Sequence, residues 1–126
     1  MRAFARPHRW LLLLWLLIAF IAVLSLAPTG QLKQIGVPDW NDKLGHFTAY
    51  FVLSAWCAQL YASGRAMLRS VLFCLLLGLS LEALQSLTAT RSAEWRDMLA
   101  NTLGVIAGGM TWFSGFAGSL LRLDAR

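Results

Sequence analysis

The chain has 126 residues, of which 58% are hydrophobic and 13% charged, and its formal net charge is +5. This length allows one compact unit, and the apolar fraction is too large for a soluble core of this size to bury. The basic residues flank apolar runs and form no stripe, so they predict membrane topology and not nucleic-acid binding. Cys57 and Cys74 lie in apolar runs without metal-ligand spacing and are interpreted as small core residues.

The first apolar run covers residues 10–27 and has no charged residue over 18 positions. As a helix it is long enough to cross a bilayer core of about 30 Å. The basic start and the small residues of Ser25–Leu26–Ala27 are also typical of a signal peptide, but the run exceeds the usual signal core of about 7–15 residues. We therefore predict a retained membrane anchor, with a cleaved signal peptide as the alternative.

Three further helices follow, with predicted ranges 42–61, 67–87 and 96–121. Asn41 or Asp42 is placed to cap the first of these. Polar connections separate the helices, at 31–40, 63–65 and 88–95. The sequence therefore predicts an all-α, integral membrane four-helix bundle that forms a single domain over residues 1–126.

The distribution of basic residues predicts the orientation of this bundle. The side that holds both termini and the 63–65 turn carries Arg2, Arg6, Arg9, Arg65, Arg69, Arg122 and Arg126. The other side carries Lys33, Lys43, Arg91 and Arg96. Because the side richer in Lys and Arg stays in the cytoplasm, we expect a multi-pass protein of the bacterial cytoplasmic (inner) membrane with both termini inside.

Polar residues recur at helical spacing near one end of three helices. Asp42, His46 and Tyr50 are four apart on the second helix, and Glu82 and Gln85 share a face of the third. The fourth carries a stripe of small or polar residues, namely Asp97, Asn101, Gly104, Gly108, Thr111 and Gly115. With up-down connections, these faces meet in one polar layer, which would face the cell exterior.

Two interpretations of this layer remain open. Its cations and the positive ends of two helix dipoles suit a phosphate or carboxylate ligand. Alternatively, the polar groups only fix the helix register, and residues near helix ends act as ordinary caps or snorkelling chains. Glu82 lies deeper, where a charge costs up to about 2.5–3.5 kcal/mol on insertion scales, so it requires a partner.

Metal binding is a further alternative for this layer. His46 with two carboxylates could hold an ion, but no HExxH-like spacing supports it. The chain also lacks a CxxC pair, a nucleophile elbow and a nucleotide-binding glycine loop. We therefore predict no metal and no cofactor.

The ordered set of polar residues resembles the VanZ-like family of bacterial integral membrane proteins. The resemblance rests on Asp42-Lys43-x-x-His46-Phe47 with Tyr50, on Glu82-x-x-Gln85, and on Arg91, Asp97, Asn101 and Gly104 in that order. The family is named after a protein linked to resistance to the glycopeptide antibiotic teicoplanin. The resemblance implies a small helical protein of the cell envelope and does not by itself assign resistance to this chain.

Three hypotheses of function follow. In the first, the layer binds or processes an anionic group of a membrane lipid or lipid-linked cell-wall precursor, through Asp42, Lys43, Tyr50, Gln85, Arg91, Arg96 and Asn101. In the second, the protein is an intramembrane hydrolase or transferase with His46 as general base and Glu82 or Asp97 as its orienter or as an acid. In the third, Gly104 and Gly108 form a GxxxG surface that binds another membrane helix or a second copy of the chain.

Overall fold

A computed structural model describes residues 1–36, 42–88 and 94–125, without the side chains of Thr29, Leu32, Lys33 and Asp42. The helices are α1 (Pro7–Leu26), α2 (Thr29–Gln34), α3 (Asp42–Leu60), α4 (Gly64–Gln85), α5 (Trp95–Met110) and α6 (Ser119–Asp124), with a 3₁₀ helix at Thr111–Phe113. The described residues contain no strand. The protein is an all-α bundle of four long helices, α1, α3, α4 and α5, as the sequence predicts.

Two of these helices, α1 and α4, are long and apolar enough to cross a membrane. α1 begins at Pro7, where the missing N–H costs nothing, and only Leu14 and Ile21 along it are buried. Several of its other large side chains are exposed, including Leu12, Trp15, Leu16 and Phe20. A continuous apolar surface of this kind is stable against hydrocarbon and not against water.

The most extensive contact between helices joins α3 and α5, and two glycines make it possible. A Cβ atom added at Gly104 would lie 3.0 Å from the backbone N of Phe51 and closer still to the carbonyl oxygen of Phe47. At Gly108 it would lie 2.9 Å from the backbone N of Ala55 and closer still to the carbonyl oxygen of Phe51. The two backbones therefore touch because these positions have no side chain.

The predicted GxxxG surface is thus occupied within the chain. Gly104 and Gly108 are both buried against α3, so they are not available to a second helix in this fold. Self-association or binding of another membrane protein stays a prediction, and it would have to use other residues.

Both termini and the α3–α4 turn lie at one end of the bundle. The Arg2 N–H donates to the Leu60 carbonyl at 2.7 Å, and the Asp124 carboxylate accepts from the indole N–H of Trp10 at 2.8 Å. The buried Gln59 side chain bonds the chain that leads into α6, through the Phe116 carbonyl and the Gly118 N–H. The polar ends of α3, α4 and α5 therefore meet at the opposite end.

The last predicted helix is shorter than expected. It ends at Met110 and not near residue 121, and a 3₁₀ turn, an irregular segment and α6 follow. Gly108 and Gly109 weaken the helix, the Thr111 hydroxyl donates to the Gly108 carbonyl at 2.6 Å, and Gly118 adopts a left-handed φ of 85°. Two smaller differences concern α4, which starts at residue 64 because Ser63 caps it, and the 31–40 connection, where α2 had not been predicted.

Candidate functional site

His46 and Asn101 form the hydrogen bond at the centre of the polar end. Nδ1 of His46, on α3, lies 2.8 Å from Oδ1 of Asn101, on α5. Because the Asn101 oxygen carries no hydrogen, Nδ1 is the donor. This leaves Nε2 directed at Asp97, whose Oδ2 is 3.8 Å away. The side chains of His46 and Asp97 are only 10% and 6% exposed, so their interaction is largely shielded from water.

Glu82 brings the end of α4 to the same place. Its side chain is buried, with 2% of the residue exposed, and its Oε1 accepts a hydrogen bond from the backbone N–H of Glu94 at 2.8 Å. One donor atom from each of His46, Glu82 and Asp97 lies within 4.8 Å of the other two. Three helices therefore contribute to one buried cluster, which we call the acid–imidazole cluster and define as His46, Glu82 and Asp97.

Lys43 lies at the mouth of this cluster. Its ammonium group is 3.3 Å from Oε2 of Glu94 and 3.5 Å from Oδ1 of Asp97. The Lys43 side chain is 38% exposed and that of Glu94 51%, whereas that of Asp97 is 6% exposed. The Lys43–Glu94 ion pair thus faces solvent at the rim of the site. Lys43 also contacts the buried Asp97, which belongs to the cluster.

Tyr50 forms the floor of the site, one turn along α3 from His46. Its residue is 2% exposed, and its hydroxyl has no hydrogen-bond partner among the described residues. A Cβ at Gly78 would lie 3.3 Å from the Tyr50 ring and 3.4 Å from the Asn101 amide nitrogen, so a glycine on α4 lets these side chains come together. Burial of an unpaired hydroxyl is unfavourable unless water or a ligand bonds it.

The remaining residues predicted for the site either lie away from the acid–imidazole cluster or fall outside the described part of the chain. Gln85 is buried and its amide donates to the Ser25 carbonyl at 2.7 Å, so it ties α4 to the end of α1. Arg96 is exposed, and its guanidinium lies 5.6 Å from the ring centre of the exposed Trp95. Asp42 is the first residue of α3, but its side chain lies outside the described part of the chain, as do Arg91 and Asn41.

Glu94 is the site residue that the sequence reasoning missed. It precedes α5 as its N-cap residue without making a side-chain capping bond; instead its carboxylate contacts Lys43 and its N–H contacts Glu82. An acidic residue three positions before Asp97, at the start of a helix that begins in the polar layer, was a signal for this role.

The described charges at this end comprise three acids and the cations of Lys43 and Arg96. Glu82, Glu94 and Asp97 carry carboxylates, and the cation that contacts them in the described part of the chain is Lys43. No Lys or Arg side chain of the described residues forms an ion pair with Glu82. Such an arrangement can hold a proton or a cation between the buried acids and present an ammonium group at the rim.

A groove elsewhere in the bundle does not coincide with this cluster. It has a volume of about 470 Å³ and is lined mainly by apolar side chains of α1, α3 and α4, with Arg69 among them. It contains none of the predicted site residues. Because chemistry requires polar groups, we place the candidate site at the cluster and not at the groove.

Comparison of the sequence with known protein families identifies one that matches this chain. The family model described as VanZ/LLP1 matches residues 10–118 and so includes every group of the site. No curated protein matched the chain, and no solved structure did. Together with the two apolar helices, the match indicates a membrane protein. The chain belongs to the VanZ/LLP1 family.

Proposed function

We propose that the polar end of the bundle binds the anionic group of a membrane lipid or of a lipid-linked cell-wall precursor. The observation that carries this proposal is the position of Lys43, a partly exposed ammonium held by Glu94 and Asp97 over buried polar groups. Much of the rest of the described surface is apolar. A ligand with a charged head and an apolar tail would match both surfaces.

The Lys43 ammonium retains capacity for a ligand. It has three N–H donors, and its two acidic neighbours occupy at most two of them. Both neighbours belong to the segment that starts α5, so they hold the ammonium in place without enclosing it. A phosphate or carboxylate oxygen can therefore bond the third donor from the exposed side.

The helix ends support the same charge preference. α3 and α5 both begin at the polar end, and the side chain of the N-cap residue Glu94 makes no capping bond to α5. The first N–H groups of a helix lack partners within it and carry the positive end of its dipole. They favour an anion next to Lys43.

The placement of the chain ends bears on localisation. Both termini and the α3–α4 turn lie together, away from the polar end. With the excess of basic residues on that side, the bundle would keep both termini in the cytoplasm of the bacterial inner membrane and direct the site outward.

A single-residue test uses Lys43→Met, which keeps the apolar stem and deletes the cation. Arg65→Met is the matched control, because Arg65 is exposed at the start of α4 and lies at the other end. Purified protein would be incorporated into nanodiscs of phosphatidylcholine with a minority of phosphatidylglycerol, and the lipid retained after detergent extraction would be counted by mass spectrometry. We expect phosphatidylglycerol retention to fall about tenfold in Lys43→Met only, since a charge-assisted hydrogen bond contributes about 1.5–3 kcal/mol. Equal retention in both variants would reject the proposal.

One observation also favours an enzyme. Nδ1 of His46 donates to Asn101 Oδ1 at 2.8 Å, and a hydrogen bond of this kind orients an imidazole for the role of general base. The sequence predicted that Glu82 or Asp97 would orient the His46 ring. In the structure, the residue that contacts Nδ1 of His46 is Asn101. If the protein is a hydrolase or transferase, His46→Gln should abolish formation of new lipid species while phosphatidylglycerol retention persists.

A further inference from the structure

We propose that the acid–imidazole cluster of His46, Glu82 and Asp97 is a binding site for one divalent transition-metal ion, with Zn²⁺ and Mn²⁺ as the best-matched ions. This site goes beyond the proposed function and does not depend on it, because an ion can bind here with or without an anionic ligand at Lys43. It also differs from the expectation from sequence, which was that no metal is bound.

The donor set is the first argument. The cluster offers one imidazole nitrogen and two carboxylate oxygens, all within 4.8 Å of one another. Three donors of nitrogen and oxygen type are usual for catalytic zinc and for manganese, with further positions left for water or substrate. The donors come from three helices, α3, α4 and α5, so no short spacing in the sequence could have shown them together.

The orientation of the imidazole is the second argument. Metal-bound histidines usually donate their other ring N–H to an acceptor, which fixes the tautomer and the direction of the ligating lone pair. Asn101 Oδ1 accepts from Nδ1 of His46 at 2.8 Å. In the neutral ring, Nε2 then presents its lone pair on the side of Asp97. Asn101 therefore acts as a positioning residue for the proposed ligand.

The charge at the cluster is the third argument. Two carboxylates are buried, with Glu82 and Asp97 2% and 4% exposed. Lys43 contacts Asp97 at 3.5 Å, but no Lys or Arg side chain in the described ranges forms an ion pair with Glu82. Buried charges are normally paired or coordinate metals, because an isolated ion in a low-dielectric interior is strongly unfavourable. A divalent ion would neutralise both carboxylates at once.

The distances allow coordination after small side-chain movements. Donor atoms at the corners of a triangle with sides of 4.8 Å would each lie about 2.8 Å from an ion at its centre, and bonds to zinc measure about 2.0–2.2 Å. Each donor would have to move inward by less than about 1 Å, which rotations about side-chain bonds can supply. No helix has to shift.

The floor of the site gives an independent observation. The buried Tyr50 hydroxyl has no hydrogen-bond partner among the described residues, and the Tyr50 ring and the Asn101 amide both lie beside Gly78. A metal-bound water or anion oxygen is the type of group that would satisfy this hydroxyl. A site built only to neutralise two acids would not require such a donor.

The test measures metal directly. Full-length protein in detergent would be treated with EDTA, desalted, and titrated with ZnCl₂ and, separately, MnCl₂ by calorimetry, with bound metal counted by elemental mass spectrometry. We expect one ion per chain for wild type. Glu82→Gln and His46→Gln should each weaken binding about tenfold or more, and Asn101→Ala about 10–100-fold, as removal of an outer-shell partner does elsewhere.

Two variants serve as matched controls. His8→Gln removes an exposed histidine on α1, and Asp124→Asn removes a carboxylate at the opposite end of the bundle; both should keep the affinity of wild type. Circular dichroism would establish that each variant is folded. Absence of binding by folded wild type, or equal loss in control and cluster variants, would overturn the metal site. Phosphatidylglycerol retention after EDTA treatment would show separately whether the proposed function stands.

Discussion

The α3–α5 contact provides the sharpest test of the fold, through Gly104→Ala. The added Cβ would lie 3.0 Å from the backbone N of Phe51 and 3.2 Å from the carbonyl carbon of Phe47. Carbon atoms pack best at about 3.5–4.0 Å from other heavy atoms. The obstacle is backbone, which cannot rotate away as a side chain can, so α3 and α5 have to separate by roughly 1 Å.

The expected cost follows from two opposing effects. Overpacking of a close-packed contact costs about 1–3 kcal/mol, and the rigid backbone places this case at the upper end. Alanine recovers up to about 1 kcal/mol through its higher helix propensity. We therefore expect Gly104→Ala to lower the free energy of unfolding by about 2 kcal/mol. The same separation would stretch the 2.8 Å His46–Asn101 hydrogen bond beyond useful length and impair the site.

Two other glycines serve as controls. At Gly45, on α3, the added Cβ would meet no atom of the described residues within 4 Å beyond its chain neighbours and its own helix backbone, so alanine there should be neutral or raise stability by about 0.5–1 kcal/mol. At Gly109 the nearest atoms are side-chain atoms, beginning with Ser54 Oγ at 3.3 Å, so the effect should be small. Unfolding by SDS titration in detergent micelles, followed by circular dichroism, would measure all three variants. Equal stability of Gly104→Ala and Gly45→Ala would refute the backbone contact.

Three further predictions concern the rest of the bundle. Reporter enzymes should read as external in the two connections at the polar end and as cytoplasmic at the other end, and an internal signal at a polar-end connection would contradict the single polar layer. The fusion points are Gln34 and Thr90 for the polar end, and Gly64 and Arg126 for the other. Gln59→Leu should lower the free energy of unfolding by about 2 kcal/mol, because it leaves the Gly118 N–H without its 2.8 Å acceptor; the exposed Gln34→Leu should not. Desolvation raises the pKa of Asp124, but hydrogen bonds from the Trp10 indole and from nearby backbone N–H groups outweigh it, and the pKa lies below the ordinary 3.8. The ionised Asp124 carboxylate therefore contributes fully to stability above pH 3.8, and this contribution is lost as the pH falls through the lowered pKa. In a plot of thermal midpoint against pH, Asp124→Asn should therefore show a smaller decrease on the acid side than wild type.

The helices were predictable from sequence where one physical signal dominated. Uninterrupted apolar runs located α1 and α4, and helical periodicity placed His46 with Tyr50 and Asp97 with Asn101 on common faces. The end of α5 was not predictable in this way, because the segment after Met110 stays apolar while glycines and hydroxyl groups redirect its backbone.

The pairings across helices required the structure. The period of a helix gives the face on which a residue lies, but not its axial offset from residues on a neighbouring helix. This axial offset determines which side chains are paired: His46 forms a hydrogen bond to Asn101 through Nδ1, and Lys43 forms one to Glu94. It is set by the glycine contacts of Gly104 and Gly108, which the sequence suggested as a contact surface without identifying α3 as the partner.

The central claim is that the buried polar cluster serves a ligand and does more than fix the helix register. The most direct measurement is the thermal midpoint in detergent, together with Zn²⁺ bound per chain, for wild type and Glu82→Gln in parallel preparations. The substitution keeps the size of a side chain that is 2% exposed and removes its charge, so stability should be unchanged or higher. The account predicts an unchanged or raised midpoint with Zn²⁺ affinity reduced about tenfold, a loss of about 1.4 kcal/mol in binding free energy. A lowered midpoint with Zn²⁺ binding falling only in proportion to the folded fraction, or full Zn²⁺ binding at an unchanged midpoint, would contradict it.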